Sequence, residues 1–271
     1  MTPFLFDFTF GKPNVKHIKE FSEKISVSKK QMSDGRNLCP YKIPSPDDIY
    51  KKIERMTYRV DKGKFISDLF ACGAIAIANK TDLAQAEERE QTCLKIINSY
   101  QPAERETLVS VFGDIFALLS SVVYSDGRFN DYLGELFMRC NVGNKNAGQF
   151  FTPYHISQFM AHITIDERMI KQKSAANEII TISDPCCGGG GMILAAMDVL
   201  QNTYGVNYAR DCFVDCGDID IRCVHMTYLQ LSYAGVPAVI RHQNTLTREK
   251  WSVWYTPALL FQYLRFRKFL V

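Results

Sequence analysis

The sequence predicts an α/β fold preceded by an α-helical N-terminal domain, on three observations. Up to about residue 125 the apolar residues recur at helical spacing. After Pro153 short apolar runs alternate with helical stretches, and a run of four glycines sits where one such run turns into a helix. The division is expected near residue 145, with residues 1–145 helical and residues 146–271 forming the α/β part.

The first 45 residues are aromatic, punctuated by glycine and proline, then lysine-rich, and predict only a short helix near Val15–Ile25. Ser45-Pro46-Asp47-Asp48 is a helix start: a capping hydroxyl, proline at the first position and acids facing the positive helix end. Ile49, Ile53 and Met56 then follow at helical spacing. Thr81-Asp82 opens a second helix, with an apolar end at Leu94, Ile96 and Ile97. Pro102 opens a third, whose face is Leu108, Val111, Phe112, Ile115, Leu118, Leu119 and Val122, and Ser125-Asp126-Gly127 marks its end.

A helix from Tyr154 to Ile163 leads to the polar stretch DERMIKQKSAANE, which reads as a linker. Strand Ile179–Ser183, helix Met192–Gln201, strand Phe213–Gly217, helix Ile221–Tyr233 and strand Ala238–Arg241 come next. That alternation implies a parallel sheet with right-handed crossovers.

Composition narrows the class. A chain of 271 residues buries one large core or two modest ones, and 46% hydrophobic with 23% charged residues excludes wholesale disorder. A net charge of +3 permits nucleic-acid binding without pointing to it. The nine cysteines are scattered, and the start lacks the basic and apolar regions of a secretion signal. The longest apolar run, Phe65–Ala78, contains Asp68 and falls short of the roughly 18 residues of a membrane span. A cytoplasmic protein with reduced thiols is expected.

Asp184-Pro185-Cys186-Cys187-Gly188-Gly189-Gly190-Gly191 links the first strand to its helix. Glycines let a backbone turn tightly and approach a ligand, and the next helix offers unpaired N–H groups at its start. A structural turn or a dinucleotide-type loop satisfies the same pattern. About 30 residues on, the second strand ends in Gly217-Asp218-Ile219-Asp220. A carboxylate there can accept hydrogen bonds from both ribose hydroxyls, which suits a nicotinamide dinucleotide and S-adenosylmethionine equally. Helix capping is the alternative role, and it suits Asp220 better than Asp218.

Weaker constellations point elsewhere. Cys212, Cys216 and Cys223 with His225, joined by Cys186 or Cys187, lack paired C-x₂-C spacing and read as buried thiols, so no metal site is expected. His155 and His162 read as packing or surface residues, and Trp251 with Trp254 as a core anchor.

A third element, Gly148-Gln149-Phe150-Phe151-Thr152-Pro153, precedes the first strand. Together GQFFTP, DPCCGGGG, the acid Asp218 and the downstream HQNTL resemble the N6-adenine DNA methylase family, of the modification-subunit type found in type I restriction systems. The likeness spans roughly residues 131–246, and Gly189, where the family usually has serine, is the visible departure. It implies a Rossmann-like, S-adenosylmethionine-dependent methyltransferase sheet and methyl transfer to adenine N6 in DNA. It further implies that Phe151 and Thr152 contact the methionine end of the cofactor. Asp184, Gly188 and Gly190 would line its amino-acid part, Asp218 would take the ribose hydroxyls, and Asn244 would meet the adenine edge. The implied partners are double-stranded DNA and a specificity subunit.

The family's acceptor segment, Asn/Asp-Pro-Pro-Tyr/Phe, has no counterpart: the sequence contains no Pro-Pro, and catalytic residues stay unassigned. Tyr255-Thr256-Pro257-Ala258 is the nearest stretch to the expected position. The methyltransferase sheet is therefore expected to be incomplete. The chain would be an active methylase of this family, a truncated or inactive cofactor-binding module, or a half completed by another chain. The aromatic, basic ending FQYLRFRKFL is expected to cover the open sheet edge.

Overall fold

The computed structural model describes residues 43–56, 59–124, 129–140 and 150–270. The helix expected near Val15–Ile25, the Ser125-Asp126-Gly127 turn and Gly148-Gln149 lie outside the described residues. The elements below belong to one compact unit, Pro44–Val271.

Helix α1 (Pro46–Met56) begins as its sequence dictates. The Ser45 hydroxyl accepts the Asp48 N–H at 3.2 Å, and the Asp48 carboxylate accepts the Ser45 N–H at 3.1 Å. This reciprocal cap satisfies donors that the first turn would otherwise leave unpaired. Ile49, Ile53 and Met56 are buried, and α1 packs on α4 (Pro102–Tyr124).

The apolar run Phe65–Ala78 lies within helix α2 (Lys62–Ala78), whose N-cap Asp61 accepts the Lys64 N–H at 2.7 Å. Periodicity conceals this helix because its apolar residues are nearly continuous. Burial on most sides explains the pattern: Phe65, Ile66, Leu69 and Phe70 are fully buried, each contributing roughly 1.5–3 kcal/mol of transfer free energy. No helix among the described residues is long and apolar enough to cross a membrane.

The helix expected from Thr81-Asp82 starts as a single 3₁₀ turn, Leu83–Gln85, and continues as α3 (Ala86–Asn98). Buried Arg89 of α3 pairs with Asp82 at 2.9 Å and lies 4.6 Å over the Trp254 ring. One guanidinium thus ties the helical region to the sheet. Replacing Arg89 with alanine leaves the Asp82 carboxylate, also mostly buried, without its counter-ion. The expected cost is about 3–5 kcal/mol, to be read from urea unfolding.

Helix α5 (Tyr132–Arg139) and helix α6 (Tyr154–Thr164) follow, the latter packed closely on α8 (Gly191–Asn202) through Ala161, Ala195 and Val199. The stretch expected as a polar linker is a helix, α7 (Glu167–Ala175). Asp166 caps it by accepting the Arg168 N–H at 2.8 Å, Glu167 and Lys171 pair across one turn, and Ile170 anchors it. One buried residue is too little apolar signal to read from periodicity, whereas cap and ion pair act locally.

Strands β1 (Ile180–Asp184), β2 (Cys212–Asp218), β3 (Ala238–Asn244) and β4 (Glu249–Tyr255) form one sheet in that order. β1, β2 and β3 are parallel, linked through α8, a short α9 (Tyr208–Asp211) and α10 (Ile221–Tyr233). β4 departs from the expected parallel pattern and runs antiparallel to β3. Only residues 245–248 join the two strands, a turn that suffices for an antiparallel pair but not for a crossover.

The C-terminal residues also lie elsewhere than expected. Helices α11 (Pro257–Phe261) and α12 (Tyr263–Phe266) put Leu259 and Phe266 against Phe213 and Val239, and Phe269 stacks on Phe213 at 4.9 Å. They cover a face of the sheet rather than an edge, because their aromatic side chains find the apolar surface of β2 and β3. Among the described residues β1 pairs with β2 alone, so its other edge carries no strand. Trp254 is buried as expected, but Trp251 is exposed: the β3–β4 register shifts between His242 and Gln243, which leaves Trp251 as an unpaired bulge residue near the start of β4.

Candidate functional site

The carboxyl ends of β1 and β2 converge on the glycine loop, and the loop is held by its own hydrogen bonds. Asp184 closes β1 and accepts the Cys186 N–H at 3.1 Å. The Cys187 N–H donates to the Gly217 carbonyl at 2.9 Å, tying the loop to β2. The Gly188 N–H donates to Asp218 Oδ2 at 2.9 Å, while Asp218 Oδ1 accepts the Asp220 N–H at the same distance. Asp220 in turn caps α10, accepting the Arg222 N–H at 2.9 Å. Thr227 of α10 donates to the Gly188 carbonyl at 2.9 Å.

Two of the glycines are required by backbone conformation. Gly188 has φ of +54° and Gly190 +89°, where a side chain is strained. A Cβ on Gly188 would stand 3.3 Å from the Phe151 ring, on the accessible side of the loop. A Cβ on Gly190 would instead meet Thr227 at 3.1 Å, inside the protein, and its N–H is spent on the Cys187 carbonyl at 2.8 Å. Gly190 therefore shapes the turn and starts α8, whereas Gly188 and Phe151 border the open side.

Phe151 is half-buried and stacked on Phe137 of α5 at 5.2 Å, and the Arg222 guanidinium lies over the same Phe137 ring at 5.3 Å. Thr152, next in the chain, is exposed. Asn244 lies one strand further, at the end of β3, and its Oδ1 accepts the N–H groups of Leu246 and Thr247 at 3.0 and 3.2 Å. The neighbouring Thr245 hydroxyl donates to the Pro185 carbonyl at 2.6 Å, which draws this turn towards the loop. Phe151, Asp184, Gly188, Gly190 and Asp218 are thus gathered in one place. Thr152 and Asn244 stand at its margin, the latter engaged in its own turn.

Two half-buried carboxylates dominate the electrostatics. Burial raises the Asp184 pKa above the usual carboxylate value, and the negative charge of Asp218 adds to the rise. A cationic ligand would relieve that repulsion, and hydroxyl or ammonium donors would find acceptors on both acids. The two acids thus form an acceptor pair suited to a cationic ligand that carries hydroxyl or ammonium groups.

The first strand's loop, Asp218 and Asn244 share one end of the sheet because three parallel strands point the same way. Tyr255-Thr256-Pro257-Ala258 is at the other end: β4 is antiparallel, and Tyr255 pairs with Val239 near the start of β3. There Thr256 is buried, its hydroxyl accepting the Ala238 N–H at 2.9 Å and donating to the Val236 carbonyl at 2.7 Å. That stretch is structural and does not face the loop. The start of β4 does lie at the loop end, bringing exposed Trp251 to 4.6 Å from His242, whose Nε2 is 3.2 Å from the Ile219 carbonyl. Spacing within β4 gives no hint of this neighbourhood, since it depends on strand direction.

Cys212, Cys216 and Cys223 are buried, and His155 and His162 are exposed. Among the described residues no group of three or more His, Cys, Asp or Glu side chains is placed to hold a metal ion.

Residues 129–259 match the family model described as N-6 DNA Methylase. The chain is 25% identical over 220 residues to the type I restriction enzyme EcoEI methylase subunit of Escherichia coli, covering 74% of this chain and 36% of that protein. A crystal structure of the type I restriction-modification system methyltransferase subunit from Streptococcus thermophilus aligns with a TM-score of 0.29 and 12% identity, over 71% of this chain and 57% of that one. The chain thus spans little more than a third of the length of the curated relative it matches. Residues 129–259, the segment that matches the N-6 DNA methylase model, hold the glycine loop and all four strands.

Proposed function

We propose that this chain binds S-adenosylmethionine at the glycine loop and serves methyl transfer to adenine N6 in double-stranded DNA, as in restriction-modification systems. The observation that supports it best is the pairing of Asp184 and Asp218 across a preformed loop at the carboxyl end of the sheet, inside the matched segment. In this reading Asp218 receives the ribose hydroxyls, Asp184 and Gly188 the amino-acid end, Phe151 and Thr152 the methionine chain, and Asn244 the adenine edge. Gly190 acts by shaping the turn. The bound cofactor would supply an electrophilic methyl group. The chain's own residues would fix its orientation through hydrogen bonds made before binding, so that little ordering remains to be done when it arrives. The division into a helical part to residue 145 and a methyltransferase part from residue 146 belongs to the same proposal.

One observation favours a second reading, that the chain supplies only the donor half of the enzyme. Tyr255–Ala258 lies at the opposite end of the sheet from the loop, and the edge of β1 away from β2 pairs with no strand among the described residues. Ile156, Phe159, Met160 and Ile163 form an exposed apolar stripe on α6, opposite the side packed on α8. A completing polypeptide that adds a strand to β1 would bring the missing acceptor segment, and a specificity subunit would choose the DNA site.

Calorimetric titration with S-adenosylmethionine, followed by methyl transfer to adenine-containing duplex DNA, separates the readings. Binding with transfer supports the first, and binding without transfer supports the donor half. Absence of binding refutes both.

A further inference from the structure

The loop is also held from beneath, by a buried pair that cofactor contacts do not explain. Asp131, the N-cap of α5, accepts at Oδ1 both the Gly134 N–H (2.9 Å) and Gln230 Nε2 (2.7 Å). Gln230 lies on α10, 2% exposed, and the same amide nitrogen donates to the Gly189 carbonyl at 2.7 Å. Its Oε1 accepts the Leu133 N–H at 3.2 Å. A primary amide offers two hydrogens on one atom and an acceptor on its neighbour, so Gln230 joins three partners that no hydroxyl or apolar side chain could.

The fit is tight. A Cβ on Gly134 would come within 2.2 Å of the Asp131 carboxylate, and one on Gly191 within 2.6 Å. The carboxylate is thus wedged between the first turn of α5 and the first residue of α8. Burial raises its pKa, so the charge is held there at a cost that a neutral cap would avoid. The same α5 carries Phe137, on which Phe151 stacks. One short helix therefore supports both the loop and the ring that borders its open side.

We propose that Asp131 and Gln230 are positioning residues of the donor site: by fixing the Gly189 carbonyl they set the Cys187–Gly190 turn that aims the Gly188 N–H at Asp218, and they couple that turn to α5. The inference rests on the donor-site reading above.

The test uses the full chain with two readouts: calorimetric binding of S-adenosylmethionine, and amide hydrogen exchange of residues 186–191 without ligand. Gln230→Leu is expected to weaken binding about tenfold and to speed exchange in the loop by a similar factor, with the amides of α4 unchanged. Asp131→Ala, the second variant should Gln230→Leu not fold, is expected to do the same. Asp131→Asn keeps an acceptor for both donors and is expected to restore wild-type binding and exchange. Variants that fold and exchange like wild type at 186–191 overturn the inference. So does loosening spread equally through α4, which would mark a general structural role. A wild-type protein that fails to bind overturns the donor-site reading instead, and loop exchange then decides the inference by itself.

Discussion

Replacing Asp218 with alanine is expected to weaken S-adenosylmethionine binding by at least about 100-fold, the largest binding loss available from one side chain in this chain. The carboxylate does two things at once. It holds the loop, accepting the Gly188 and Asp220 N–H groups at 2.9 Å each, and in the proposed complex it receives the ribose. Charge-assisted hydrogen bonds contribute roughly 1.5–3 kcal/mol apiece and a 100-fold change is about 2.8 kcal/mol, so losing the two loop contacts is by itself enough for the stated factor. Asp218→Asn is expected to fall between, because one oxygen becomes a donor facing an N–H group. Asp215→Ala is the control. It removes the same charge from the same strand, where Asp215 pairs with Arg241 at 2.8 Å, and should leave binding within about twofold. Equal losses in Asp215→Ala and Asp218→Ala would show that net charge, not placement, governs binding.

What could be read from the sequence divides along the range of the signal. The Asp184–Gly191 loop, the start of α10 at Asp220 and the cap at Ser45 were legible because glycine conformation and capping are local effects. α2 was hidden by its own burial, and α7 by having Ile170 as its sole buried residue. The direction of β4 turned on a turn of four residues, 245–248, which includes Arg248 at a φ of +62° that no local pattern announces. Within the site, Asp184 and Asp218 stood out by their place at strand ends. Asp131 and Gln230 did not: they are 99 positions apart and meet only once α5 and α10 have packed. The residues proposed to touch a ligand sit at recognisable element ends, whereas those that hold those ends in place are scattered through the chain.

Acidification from pH 7 to pH 4.5 is expected to remove roughly 2–3 kcal/mol of stability through His225 alone. This side chain lies on α10, buried edge-on against Trp254 at 4.9 Å. Burial, with the nearby positive charges of His242 and Arg89, pushes its pKa down to about 3, against a partial opposing effect of Asp220. Folded, the ring stays neutral through the mildly acidic range; unfolded, it protonates near pH 6.5. Between those values the unfolded state binds the extra proton, so stability is full above pH 6.5 and falls as pH drops towards 3. Asp131 and Asp184 act in the opposite sense. Their raised values mean that the folded state takes up protons first, so acid relieves their burial penalty. The summed pH profile therefore mixes two signs, and the histidine contribution emerges only as a difference. Urea unfolding of wild type and His225→Gln at both pH values isolates it, because the carboxylate contributions cancel. The variant loses ring packing against Trp254 and should be less stable at pH 7, yet its decline on acidification should be smaller by those 2–3 kcal/mol. Parallel declines in the two proteins would mean that the ring is protonated in the folded state, and would rule out a neutral imidazole packed beneath β4.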